Sequence, residues 1–444
     1  MSDLASVARS ESSWFGQPRG LTILFLTEMW EIFSYYGMRA LLVYYMTRQL
    51  MIGQEKASLI YGGYTASAYF TPIFGGMIAD RWLGKSRAVI LGGAVMALGQ
   101  FLMAFPALLY WALATIALGN GLFLPSLPSQ INDLYGPNDP RRGRAYNIYY
   151  VGINLGGFLA PLVCGTLGEF YGWHWGFTAA GVGMLLGLLI YIAGRPYLPE
   201  RSRTLVKAPE LVAPLRTRGA GRPLLLVLFG IGVSVTVFRG AYEQIGNTVA
   251  LWTEAGIDRH TSLMTIPMTW FQSLNPLLVF LMTPLLLARW RRRAERGLEP
   301  SAVRKMVSGA LIVALAYALL AGVSALAGSN RASWVWLILF FVVFTLGELH
   351  ILPTGLGLFA RLAPVGFAAT TVAAWFLAIF TGSLTAGLVG TLWSRMRPFE
   401  FFGLLALLAL TAAALLRAME GATDRIEAEH AAGAGGTTPD HASH

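Results

Sequence analysis

The sequence predicts an all-α polytopic membrane protein of twelve transmembrane helices in two six-helix bundles. Apolar runs of about 20 residues recur along the chain, each long enough to cross a hydrocarbon core of roughly 30 Å. Basic residues crowd into alternate loops, and one long polar stretch from Arg195 to Arg222 divides the runs six and six. Of the 444 residues, 55% are hydrophobic and 13% charged, with a mean hydropathy of +0.56, far from a soluble globular domain.

In chain order, the spans are expected at about 21–50, 57–80, 87–105, 107–127, 147–170, 174–194, 223–252, 263–289, 305–327, 333–357, 367–393 and 399–417. Spans three and four part only near Pro106. The 20 residues before the first run are polar and lack a short apolar region with a small-residue cleavage site, so no removable signal peptide is expected. Residues 1–20 read as a cytoplasmic segment, 21–194 as the first bundle, 195–222 as a cytoplasmic linker and 223–417 as the second bundle. Residues 418–444, rich in Gly, Ala and Thr toward the end, are expected to be disordered.

A net charge of +10 would suit nucleic acid if it were clustered, but its distribution points elsewhere. One set of loops holds Arg81, Lys85 and Arg87; Arg141, Arg142 and Arg144; seven basic residues from Arg195 to Arg222; seven from Arg289 to Lys305; and Arg361, 21 in all. The opposite set holds six: Arg48, Lys56, Arg259, Arg331, Arg395 and Arg397. The positive-inside rule places the first set, and both termini, in the cytoplasm. The single cysteine, Cys164, lies in an apolar run and excludes an intramolecular disulfide.

Charges at membrane depth cost about 2.5 to 3.5 kcal/mol each on insertion scales, and such residues usually face a water-filled cavity or pair with one another. The candidates are Glu28, Glu31 and Arg39 in span one, Arg239 and Glu243 in span seven, and Glu348 with His350 in span ten. At 100° per residue Glu28, Glu31, Ile32, Tyr35 and Arg39 fall within a stripe of roughly 100° on one helix. Two adjacent carboxyls in a low-dielectric setting favour the protonated form, which suits a proton site. The competing reading is a structural helix–helix pair.

GGMIADRWLGKSR, from Gly75 to Arg87, sets Asp80, Arg81, Gly84 and Arg87 on a short cytoplasmic turn, where charges can clamp helix ends through their dipoles. The alternative is ordinary positive-inside charge. The pattern resembles the loop of the major facilitator superfamily. In that context EMWEIFSYYGMR, from Glu28 to Arg39, resembles the E-x-x-E-R-F-x-Y-Y-G motif of the proton-dependent oligopeptide transporter family. YFTPIFGGMIADR at Tyr69, YNIYYVGINLGGFLAP at Tyr146, MTWFQSLNP at Met268 and LGELHILPTGLGLFARLAP at Leu346 extend the resemblance over most of the chain.

That resemblance implies import of di- or tripeptides with protons by alternating access, with Glu28, Glu31 and Glu243 in proton coupling. A peptide is a zwitterion, so its site needs an anion and a cation with amide-binding groups between. Glu348 resembles the acid that holds the peptide's amino group, and Arg39 the cation near its carboxylate. Asn154 and Asn275 can donate and accept toward amides, and Tyr35, Tyr36, Tyr69 and Trp375 can wall side-chain pockets, although each aromatic alone also fits ordinary packing. His350 matches no family role. Gly152 and Gly156 make a small-xxx-small face that lets helices approach closely. Pro125, Pro161 and Pro353 can break helices where freed carbonyls face a cavity. Either feature fits gating or static packing.

The chain departs from the family pattern at four points. Ile32 stands where the motif has Arg, and Leu124 where span four has Lys, so two cations of the expected network are absent together. Arg239 replaces the aromatic residue usual before Glu243; it is expected to compensate, pairing with Glu243 one turn away or with Glu28 or Glu31 across the interface. The two extra helices that many bacterial members carry between the halves are missing.

There is no Walker A motif, zinc-like ligand spacing or nucleophile elbow in the sequence, so neither enzymatic chemistry nor a cofactor or metal is implied. The expected partners are small peptides, protons and the lipid bilayer, with no nucleic acid, for a monomer in the bacterial inner membrane. The alternatives are a weakly coupled or uncoupled peptide carrier, a transporter of another small solute such as nitrate, a sugar or a drug, and a non-transporting membrane receptor.

Overall fold

The computed structural model describes residues 16–136, 139–199, 222–363 and 368–435. Residues 1–15, most of the linker and residues 436–444 therefore lie outside the described part. The N-terminal half contains α1 (Arg19–Tyr44), α2 (Gln54–Ile78), α3 (Lys85–Leu102), α4 (Leu109–Asp133), α5 (Arg141–Ala160), α6 (Thr166–Tyr171) and α7 (Trp173–Gly194). The C-terminal half contains α8 (Arg222–Tyr242), α9 (Thr248–Ala255), α10 (Leu274–Ala294), α11 (Ala302–Ala327), α12 (Trp334–Arg361), α13 (Ala368–Gly390) and α14 (Pro398–Gly435).

Nine helical stretches among the described residues are long and apolar enough to cross a membrane, the first beginning at Pro106. The three helices before it hold Glu28, Glu31 and Arg39 in α1, Glu55 and Lys56 in α2, and Lys85 and Arg87 in α3. The expected count of twelve spans depends on counting those three as well. Spans three and four part where expected, in the turn from Met103 to Phe105 ahead of Pro106.

Each half packs around its own apolar interior. In the first, α1 lies against α5 and α7, while α4 lies against α2 and α3. In the second, α11 packs on α12 and α14, and α8 on α13 and α14. The halves meet chiefly where α2 lies along α13. There Gly62 faces Gly387 so closely that a Cβ on Gly62 would lie 2.5 Å from the Gly387 Cα. Gly152 and Gly156 bring α5 onto Phe25 and Met29 of α1, a contact within one half.

The prolines behave differently from one another. α4 and α12 run unbroken through Pro125 and Pro353, whereas Pro161 opens a wide turn at Pro161–Gly165 that joins α5 to α6. The sharper interruption is in span seven, where α8 gives way to a tight turn at Glu243–Gly246 before α9. At the basic-loop end, Gly84 at φ +76° links α2 to α3, a backbone region that strains residues with a Cβ.

The last helix corrects the expectation of disorder from 418. α14 continues to Gly435 because its polar extension has partners: buried Glu420 binds Arg304 and Arg417, and Glu427 binds Arg361. Ala and Glu, frequent here, are also good helix formers.

Polar links between the halves concentrate at the end opposite the basic loops. Gln54 donates to the Gly390 carbonyl at 2.8 Å and Ser58 to Asn247 Oδ1 at 3.1 Å. Arg395 meets Glu55 at 2.9 Å and Arg48 meets Glu254 at 2.8 Å. The Glu169 carboxylate, on α6, accepts from the Met268 and Thr269 amides at 3.0 and 2.8 Å and from Thr269 Oγ1 at 2.6 Å. These clasps close one end of the interface.

Candidate functional site

Beneath that closure, charged side chains from α1 and span seven converge. Arg39 reaches across from α1 to pair with Oε2 of Glu243, and its Nε donates to Tyr61 Oη at 2.7 Å. The Arg39 guanidinium also stands over the Tyr36 and Tyr61 rings at 5.8 and 5.6 Å. Arg239 pairs with the other oxygen of Glu243, and its Nη2 lies 3.3 Å from Ser383 Oγ. Its guanidinium is sandwiched by Tyr69 of α2, at 5.3 Å, and Tyr242, at 4.8 Å. Glu243 and Arg239 are each 2% exposed, so one carboxylate sits buried between two cations.

Spacing along the chain favours this local arrangement. Arg239 and Glu243 are four residues apart on one helical face, the spacing at which side chains meet. The helix ends at Tyr242, so Glu243 projects from an interrupted turn. Arg239 thus takes the first of its two expected partners; Glu28 and Glu31 are not reached by it.

The opposite pole is built on α12. Glu348 accepts from Tyr242 Oη at 2.7 Å and from Asn275 Nδ2 at 2.6 Å. Asn275 also lies 3.1 Å from Thr345 Oγ1. Tyr242 therefore touches both poles, against Arg239 by its ring and Glu348 by its hydroxyl. Charge-assisted hydrogen bonds of this kind stabilise an anion and orient it.

The tyrosines are only partly gathered. Tyr35 stacks with Tyr64 at 6.2 Å and meets Tyr36 edge-on at 5.5 Å, beside the Arg39 cluster. Asn154 turns its amide to the Tyr150 carbonyl of its own helix at 2.9 Å. Trp375 is not with them: it is 2% exposed in the interior of the C-terminal half, 5.3 Å from Phe359. His350 bonds the Leu346 carbonyl and faces Trp290.

Glu28 and Glu31 lie in the N-terminal half, 3% and 2% exposed, each with an Oε2 that has no hydrogen-bond partner. Among the described residues neither makes an ion pair. At the basic-loop turn, Asp80, Arg81 and Arg87 are exposed, and the clamp is made instead by Lys85 onto Asp133 of α4 at 2.7 Å. Sequence reading missed Tyr61, Tyr242 and Ser383. Tyr242 was marked only by its place beside Glu243, and nothing in the sequence distinguished Tyr61 or Ser383 from ordinary packing residues.

Known proteins resemble this chain along most of its length. The family described as POT family matches residues 86–204 and 217–401. The di-/tripeptide transporter of Lactococcus lactis subsp. cremoris is 31% identical over 93% of this chain and 97% of its own length. The peptide transporter YePEPT of Yersinia enterocolitica subsp. palearctica serotype O:3 (strain YE-P4) is 33% identical over 85% of this chain and 88% of its own. A crystal structure of peptide transporter POT in complex with sulfate superposes with a TM-score of 0.88 at 30% identity, covering 96% of this chain and 99% of that one.

Proposed function

The chain belongs to the POT family, with the major facilitator fold, and we propose that it imports di- or tripeptides together with protons by alternating access between its two halves. The observation that carries this reading is the pair of buried poles joined through Tyr242: Arg39 and Arg239 on one side, Glu348 with Asn275 on the other. A zwitterion with amides between its charges suits that pattern. Glu348 would take the ammonium and Arg39 the carboxylate, while Tyr35, Tyr36 and Tyr69 flank the cations.

Substrate entry follows from the clasped end. The halves are joined at the end opposite the basic loops, and alternating access must also expose the basic-loop side. By the positive-inside rule that side is the cytoplasm, which puts both termini there and the protein in the bacterial inner membrane. Opening the other way requires Arg39, in the N-terminal half, to leave Glu243, in the C-terminal half. Arg239 sits one turn before Glu243 in the same span and travels with it, so the acid keeps a counter-ion in both states. Proton handling then falls to Glu28 and Glu31, which have no such partner. The chain acts as a monomer and performs no covalent chemistry.

The test is dipeptide counterflow in proteoliposomes beside uptake driven by an imposed pH gradient. Both are expected. Counterflow without gradient-driven accumulation would replace the symporter with an uncoupled carrier, and the absence of both would overturn peptide transport.

A further inference from the structure

We propose that the buried acid pair of α1 is a binding site for a small monovalent cation, Na+, held by Glu28 and Glu31 in competition with protons. The inference rests on the reading of this chain as a transporter and names a second ion that its acid pair would take.

The first observation is charge without a counter-charge. Glu28 and Glu31 are almost fully buried, and desolvating an unpaired carboxylate costs several kcal/mol. Two positions that would supply protein cations by family resemblance hold Ile32 and Leu124. Arg239 is paired with Glu243 in the other half.

The second observation is independent of the acids. Buried oxygens around this stretch of α1 lack hydrogen-bond partners: Thr27 Oγ1 and Ser34 Oγ on α1 itself, Tyr64 Oη from α2 and Gln100 Oε1 from α3. Thr27, Glu31 and Ser34 share one helical face. Gln100 is fully buried, and its Nε2 is fixed on the Ser34 carbonyl at 3.3 Å, which leaves its free oxygen beside the same turn. Buried polar atoms in native structures are almost always satisfied, so a cluster this dense points to a ligand.

The chemistry selects the class. Every unpartnered donor atom in the cluster is a hard oxygen, with no thiolate or imidazole to favour a transition metal. A proton satisfies one carboxylate oxygen and leaves the hydroxyls and amide oxygen unmet. Mg2+ dehydrates reluctantly and keeps several waters, which this tightly packed interior does not readily admit. On α7 the facing residues are Gly183 and Gly187, the latter close to the Thr27 carbonyl and the Glu31 amide. The titratable groups near the pair are therefore Tyr149 and Tyr64, neither a cation, and protonation of the acids at low pH would expel the ion.

The experiment is thermal unfolding of the purified full chain in detergent, titrated with NaCl against choline chloride at constant ionic strength, at pH 8 and pH 5.5. A saturable upward Tm shift with Na+ at pH 8 that shrinks at pH 5.5 is expected. Glu31→Gln should abolish the shift. Ile32→Arg, which returns a protein cation to the acids, should abolish it without deleting either carboxylate, so a misfolded Glu31 variant does not leave the matter open. No Na+ shift at either pH, or a shift with MgCl2 or CaCl2 but not NaCl, would overturn the proposal. Dipeptide counterflow in Na+-free choline medium is run alongside: its failure counts against peptide transport, whereas a missing Na+ shift with intact counterflow counts against the cation site alone.

Discussion

Glu243 is shared by two arginines that belong to different halves of the molecule: Arg239 binds it from the end of α8, one turn earlier in the same span, and Arg39 binds it from α1. The two contacts are chemically alike and mechanically different. One is internal to the C-terminal half, and the other spans the interface and must break when the clasped end opens.

Removing one arginine leaves Glu243 paired; removing Glu243 strands two buried guanidinium groups. Breaking a buried pair by deleting one partner costs about 3 to 5 kcal/mol. Glu243→Gln is therefore expected to lower Tm more than Arg239→Met. The double variant should be less destabilised than the sum of the singles, since neighbours in one network are not additive. Thermal unfolding of the three variants checks the order.

At the other pole, Glu348→Gln keeps a hydrogen-bonding group for Tyr242 and Asn275 but loses the negative charge. A hydrogen bond to a charged group contributes about 1.5 to 3 kcal/mol, so dipeptide affinity is expected to fall by roughly tenfold to a hundredfold. An N-acetylated dipeptide, which lacks the ammonium, should lose much less. Isothermal titration with both ligands makes the comparison.

Glu169 joins the halves through two backbone amides and a hydroxyl of the segment starting at Met268. Glu169→Ala leaves those donors unmet and should weaken the closed end. Amide hydrogen exchange over 268–273 is expected to rise at least tenfold, at about 1.4 kcal/mol per decade, while exchange in α14 stays as it was.

Acid should loosen a second clasp. Hydrogen bonding from Arg395 holds the Glu55 carboxyl, just outside the span, below the usual carboxylate range. Its link is therefore present above that range and is lost as pH falls through the depressed value. Both side chains are largely exposed, so the effect on global stability is small. Exchange over 391–397 should rise on acidification, and Glu55→Gln should remove that acid-dependent part.

Much of the site was legible because charge inside an apolar run is rare. Arg39, Glu243 and Glu348 stood out for that reason, and helical spacing made Glu243 one of the two alternatives for Arg239, the other being Glu28 or Glu31. What stayed hidden depends on distance between segments. Tyr61 looks like any tyrosine until α2 is seen beside Arg39, and Trp375 looked like a pocket wall until it proved to be core packing between α12 and α13. The continuation of α14 past 418 depends on Arg304 and Arg361, far away in sequence, which satisfy its acids.

Gly62 and Gly387 bring α2 and α13 together with no side chain between them. Two smooth cylinders touching at bare backbone can roll on each other while their separation stays constant, as a fulcrum does. A methyl group on either one would act as a shim, prising the pair apart by its own thickness and displacing the Gln54 and Ser58 links nearby. A rocking motion of the two halves would thus turn on the smallest residue available, at a point of contact that carries no charge.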